Sequence, residues 1–144
     1  MENVHYYNTT VKWEEGRLGE LTEPTMPSIK VATPPEFPKG VPNTWSPEHL
    51  FVASANICLM TTFLAIAENS KLDFTSYTCD GIGKLEKIEG RFMISEIELR
   101  PRVVVTQEKD LDRAERIIEK SERACLISNS IKTKIILKPE ISLA

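Results

Sequence analysis

SPEHLFVASANICLMTTFLAIAEN, residues 46–69, decides the fold. Ser46 is a helix-capping residue type and Pro47 suits a first helical position. Glu48 then puts negative charge in the first turn, so a helix is expected to start here. Leu50, Phe51, Ala53, Ile57, Leu59, Met60, Phe63, Leu64 and Ile66 wrap most of its circumference. A helix apolar nearly all round is expected to be central and buried. Cys58 sits in its middle.

Working outward, residues 5–13 (HYYNTTVKW) are aromatic and β-branched, and Gly16 and Gly19 punctuate a hairpin. SIKVATP, residues 28–34, reads as a further short strand. The Pro- and Gly-dense run TPPEFPKGVPNTWSPEH, residues 33–49, is an extended loop, long enough to suggest a function of its own. Beyond Asn69 the period changes to two. Residues 75–106 read as two antiparallel strands joined by a tight turn at Glu89-Gly90, with Ile97 and Leu99 alternating against Glu96, Glu98 and Arg100. Asp110 is expected to cap a second helix carrying Leu111, Ala114, Ile117, Ile118, Ser121 and Cys125 at helical spacing. SIKTKIILKP, residues 130–139, closes the chain as a strand. The order β-β-β-α-β-β-α-β, with hairpins rather than crossovers, predicts an α+β fold: mainly antiparallel sheet around two central helices, in one domain over residues 1–144.

Composition narrows the function. A net charge of -3, with 18 Lys and Arg scattered along 144 residues, argues against nucleic acid. No stretch is expected to reach the ~20 apolar residues of a membrane span, so no membrane partner is expected. The amino-terminal residues lack a basic and apolar leader pattern. With three cysteines, an odd number, this points to a reducing, cytoplasmic setting. His5 and His49 are too few and too scattered to build a metal site with these cysteines, and no cofactor motif is present.

None of the cysteines forms a C-x-x-C pair. Cys79 lies in a strand without a neighbouring cation and reads as structural. Cys58 and Cys125 are either two buried packing residues or a redox couple, and the residues leave both options open. A reactive Cys58 needs a cation from outside its own helical turn. Arg17, flanked by Gly16 and Gly19 at a hairpin tip, is a candidate that otherwise reads as an ordinary surface arginine. Phe37, Trp45, Phe51 and Met60 are candidates for an apolar pocket, or for plain core.

Two motifs resemble the osmotically inducible protein C and organic hydroperoxide resistance (OsmC/Ohr) family. The family's N-P-E-x-L-x-A-A-x-A-x-C is similar to Ser46-Pro47-Glu48-His49-Leu50 through Cys58, with Ser46 in place of asparagine and one residue more before the cysteine. Its C-P-x-S is similar to Cys125-Leu126-Ile127-Ser128 within the E-x-A-C-x-I-S-N run over Glu122–Asn129, with Leu126 where proline is usual. The order of elements agrees from about residue 5 to 138. The resemblance implies an OsmC-like intertwined homodimer and a thiol peroxidase. Cys58 would be the peroxidatic thiolate, Cys125 the resolving thiol, Glu48 the site carboxylate and Arg17 the stabilising cation. The substrate it implies is an organic hydroperoxide, and the reductant a dithiol of lipoyl or thioredoxin type. Ten residues of helix separate Glu48 from Cys58, about 15 Å of rise. Either the helix breaks, or Glu48 serves the Cys58 of a second chain. Two further readings remain: a non-catalytic apolar-ligand binder on the same fold, and a redox sensor.

Overall fold

The computed structural model describes residues 3–144, and the chain divides into two compact units, Met1–Leu50 and Phe51–Ala144. In the first unit, β1 (Thr10–Glu15), β2 (Leu18–Glu23) and β3 (Met26–Ala32) form an antiparallel meander. Its first turn carries Gly16 at φ +52, a backbone conformation that L side chains adopt at a cost. Residues 5–9, expected as strand, lie outside β1. The proline-rich loop folds back on itself, with Val41 N–H donating to the Thr33 carbonyl (2.9 Å) and Ala32 N–H to the Trp45 carbonyl (2.8 Å). Gly40 is obligatory there, because a Cβ would sit 2.0 Å from the Pro34 carbonyl oxygen.

Helix α1 runs unbroken over Pro47–Asn69. Ser46 caps it as expected: its Oγ accepts the His49 N–H at 3.1 Å and pairs with His49 Nδ1 at 2.6 Å. Within the second unit, β4 (Phe74–Ile88) and β5 (Arg91–Val105) make the long hairpin, turning at Glu89 and Gly90, both at positive φ. Helix α2 spans Leu111–Ala124, followed by the short strands β6 (Lys134–Leu137) and β7 (Glu140–Leu143). One core cluster joins Phe63 and Ala67 of α1 to Val103 and Val105 of β5 and to Ala114, Ile117 and Ile118 of α2. A second joins Ala55 and Leu59 to Ile97 and Leu99. Helix α1 lies close on β4: a Cβ on Gly83 would come within 2.4 Å of Val52 Cγ2, and Asn56 Nδ2 donates to the Cys79 carbonyl at 3.1 Å.

The α+β class holds, with four corrections of detail. The closing strand is two strands, and both pair parallel to β5, so the larger sheet is mixed. The chain reaches that edge through α2, and a helix returns a chain to the same end of a sheet where a tight hairpin cannot. Asp110 holds the N-cap position of α2 without a side-chain capping bond; its carboxylate accepts from Arg113 Nη1 at 2.8 Å instead. Helix α1 is not enclosed by its own chain: Ala55, Cys58, Leu59, Phe63 and Ala67 are buried, whereas Ile57, Met60 and Leu64 are exposed. Finally, α1 is long and apolar enough by length and composition to cross a membrane, contrary to expectation, because its interruptions (Ser54, Asn56, Thr61, Thr62) are uncharged. One such helix is weak evidence for a span, and here one of its faces is packed in the two core clusters.

Candidate active site

The second unit brings Cys58 and Cys125 together. Cys58 faces inward from the middle of α1 and is 8% exposed. Cys125 is fully buried and is the first residue beyond α2, with φ -67 and ψ 115, rather than part of the helix. The helix ends there because Cys125 turns extended, while its N–H still closes on the Glu122 carbonyl at 3.2 Å. Both thiols are free, and each bears on the other's ionisation.

The segment after Cys125 supplies donors that no side-chain pattern announces. Burial works against ionisation of Cys58. The Cys125 thiol, the Ile127 amide, the Thr62 hydroxyl and the Leu126 amide together outweigh it and hold the Cys58 thiol below its ordinary range. Thr62 Oγ1 stands 4.0 Å from Cys58 Sγ, one helical turn along α1. Cys125 moves the opposite way. Burial and the neighbouring Cys58 push its thiol up, against the hydroxyl and amide of Ser128, which favour its thiolate. The segment is held in shape by Asn129 N–H donating to the Cys125 carbonyl (3.1 Å) and Ser130 N–H to the Ile127 carbonyl (2.9 Å). The Leu126 side chain is 67% exposed, so its backbone, not its packing, serves the site. A proline at 126 has no N–H to offer.

Behind Cys125 lie Glu122, Ser128 and Tyr77. Burial raises the Glu122 carboxyl above the usual carboxylate range, with Ser128 pulling it part of the way back. Tyr77, packed on the Phe63 ring at 5.1 Å, is pushed well up by burial, then by Cys79 and Glu122. Cys79 is half-buried, and burial raises its thiol too. In the sequence, Glu122 and Ser128 stand out only as parts of the E-x-A-C-x-I-S-N run over Glu122–Asn129, and Cys79 reads as structural; Tyr77 and the backbone amides carry no spacing signal.

Arg17 and Glu48 belong to the first unit. Arg17 is exposed at the β1–β2 turn and lines an apolar cavity of about 620 Å³ with Val11, Trp13, Leu18, Leu21 and Leu50. Glu48 Oε1 is buried without a hydrogen-bond partner. Of the four apolar-pocket candidates, Phe37 and Trp45 belong to the first unit and Phe51 and Met60 to the second. Trp45 lines a separate cavity of about 390 Å³ beside His49, Phe51 packs against the second core cluster, and Met60 is exposed. Among the described residues, no group of three or more His, Cys, Asp or Glu side chains is placed to hold a metal ion.

Residues 40–140 match the family model for OsmC-like protein. Among solved structures, the fold matches an OsmC-like protein of unknown function from Vibrio cholerae with a TM-score of 0.86 and 25% identity, over 94% of this chain and 99% of that one. It also matches an organic hydroperoxide resistance protein from Elizabethkingia anophelis, TM-score 0.75 and 22% identity, over 97% of this chain and 99% of that one. The uncharacterized protein YmaD of Bacillus subtilis is 24% identical over 141 residues, which is 96% of this chain and 94% of the relative.

Proposed function

From the membership of this chain in the OsmC-like protein family, we propose that it is a cysteine-based thiol peroxidase reducing organic hydroperoxides. The observation that carries the reading is the pairing of two buried thiols whose surroundings push them apart, Cys58 toward thiolate and Cys125 toward thiol. That asymmetry suits a nucleophile and its resolving partner. The Cys58 thiolate attacks one peroxide oxygen, the O–O bond breaks, and the departing alkoxide takes a proton to leave as an alcohol. Cys58 is left as sulfenic acid. Cys125 then attacks Cys58 sulfur, forming the disulfide and releasing water. A dithiol of lipoyl or thioredoxin type restores both thiols by exchange, as the protein works in a reducing cytoplasm.

The reading includes a homodimer. Because α1 is unbroken, Glu48 and Cys58 are separated by about 15 Å of helical rise, so Glu48 would serve the Cys58 of the second chain. The exposed Ile57, Met60 and Leu64 of α1 favour such a partner. Arg17 would supply the positive charge that stabilises the thiolate, as the family resemblance implies.

The test is consumption of cumene hydroperoxide against hydrogen peroxide, with dihydrolipoyl and thioredoxin donors compared. Faster turnover of the organic peroxide with a dithiol is expected; no consumption of either peroxide refutes the reading. For the arginine, Arg17→Ala is expected to raise the Cys58 pKa and slow attack at neutral pH, less so at high pH. An unchanged thiolate titration would leave Cys125, the local amides and Thr62 to supply the stabilisation.

A further inference from the structure

Residues 33–45 hold none of the groups assigned to peroxide reduction, yet the chain fixes them in one shape. The Phe37 N–H donates to the Pro34 carbonyl (3.1 Å), the Gly40 N–H to the Phe37 carbonyl (3.0 Å) and the Val41 N–H to the Thr33 carbonyl (2.9 Å). The far end is tied to β3 by the Ala32–Trp45 hydrogen bond and by a bridge between Val31 and Trp45. A loop held in this way loses little further entropy when it meets a ligand. Pro35, Glu36, Asn43, Thr44 and Trp45 line, with His49 of α1, a cavity of about 390 Å³. All of these residues belong to the first unit, and the volume falls within the range of small-molecule sites.

One wall of the cavity is aromatic and braced. The rings of Trp45 and His49 meet edge to face, with centroids 6.0 Å apart and planes at 89°. His49 is itself pinned, since its Nδ1 pairs with the hydroxyl of the fully buried Ser46 at 2.6 Å. The indole is fixed from that side while 53% of the residue stays open to a ligand. The polar lining is rich in acceptors. Glu36 is exposed, and its carboxylate has neither a hydrogen bond nor an ion pair among the described residues. Thr44 commits its hydroxyl proton to the Pro42 carbonyl (3.0 Å), so its oxygen has only lone pairs left to offer. No Lys or Arg lines the cavity. An anion would meet a carboxylate with no cation to balance it, and a neutral apolar molecule would desolvate Glu36 without compensation. A cation satisfies the carboxylate and gains the attraction of an aromatic face.

We propose that this cavity binds a small organic ammonium ion. Its N–H groups donate to the Glu36 carboxylate and the Thr44 oxygen, and its carbon chain lies against the Trp45 ring. The same group occurs on a free amine and on a lysine side chain. The site depends on no step of peroxide reduction.

The test titrates the full chain with butylammonium chloride, followed by the backbone and indole N–H signals in NMR spectra. Saturating shifts centred on Glu36, Thr44 and Trp45 are expected, with a Kd of about 1 mM, the order for so small a ligand. Butanol and butyrate, of the same chain length but neutral and anionic, should produce no saturating shift there. Glu36→Gln is expected to weaken butylammonium binding by about tenfold, the loss of one charge-assisted hydrogen bond. Trp45→Leu should weaken it by about fivefold, the scale of a half-exposed cation–π contact. Added salt should weaken binding to the native chain more than to Glu36→Gln. Glu36 is exposed, so its variant should keep the fold; should Trp45→Leu not fold, the ligand series and Glu36→Gln decide. Nα-acetyl-lysine amide separates the two sources: tighter binding than butylammonium assigns a lysine side chain, and weaker binding a free amine. Butanol binding as well as butylammonium, a native affinity in Glu36→Gln, or no saturable shift with either ammonium probe overturns the proposal.

Discussion

Cys58 and Cys125 are chemically identical, both buried, and each bears on the other's ionisation, yet they differ in how the chain holds them. Cys58 sits mid-helix, where every backbone N–H of its own turn is committed to the helix ladder. Its thiolate must be served from another segment, and the amides of Leu126 and Ile127 do so. Cys125 sits where a helix stops. Its extended backbone frees the following amides from helical bonding, and they are aimed largely at the other sulfur. The end of α2 thus contributes one thiol and the electrostatics of its partner. Burial costs both thiolates; the supply of donors decides which of the two ionises first.

The contrast is broken most completely by removing one sulfur at a time. Cys58→Ser should abolish peroxide reduction, measured as peroxide consumed with a dithiol present, since no other nucleophile is proposed. Retained turnover would end the mechanism. Cys125→Ser should allow a single attack and then stall as a Cys58 sulfenic acid open to further oxidation, visible by mass as added oxygen atoms. In the native protein one equivalent of peroxide should produce a loss of two protons, mapped to a Cys58–Cys125 link. A link through Cys79 would show that the resolving thiol is misassigned.

A smaller effect sharpens the comparison. Leu126→Pro deletes one amide donor, and Cys125 already has the extended ψ that a residue before proline prefers. The fold should survive. The Cys58 pKa should rise by about one unit, the value of one hydrogen bond to a charged group, giving roughly tenfold less thiolate at neutral pH. Titration of the thiolate absorbance reads this directly, and an unmoved titration would remove Leu126 from the donor set. The sign follows from the thiolate being the attacking form. Native attack should rise with pH up to the lowered Cys58 pKa and then level off, and in Leu126→Pro the plateau should begin at higher pH. Smallest is Thr62→Val. The hydroxyl contact at 4.0 Å is long, so its loss should raise the same pKa by only a few tenths of a unit.

Much was legible before any coordinates. Ser46-Pro47 marks the start of α1, and the alternation through Ile97 and Leu99 marks the hairpin, because capping and strand period are local effects written in neighbouring residues. The two cysteines were legible as candidates, and the motifs around them resemble a family that the match over residues 40–140 bears out. The parallel pairing of β6 and β7 with β5 was not legible, since a strand's period is the same whichever neighbour it joins. Nor were the Leu126 and Ile127 amides, because every residue but proline has one and only tertiary placement aims it at a sulfur. Glu122 opens the E-x-A-C-x-I-S-N run that resembles the family, but nothing in that run announces its burial. Its carboxyl is partly buried only in the folded chain, and that burial rather than the residue type raises its proton affinity.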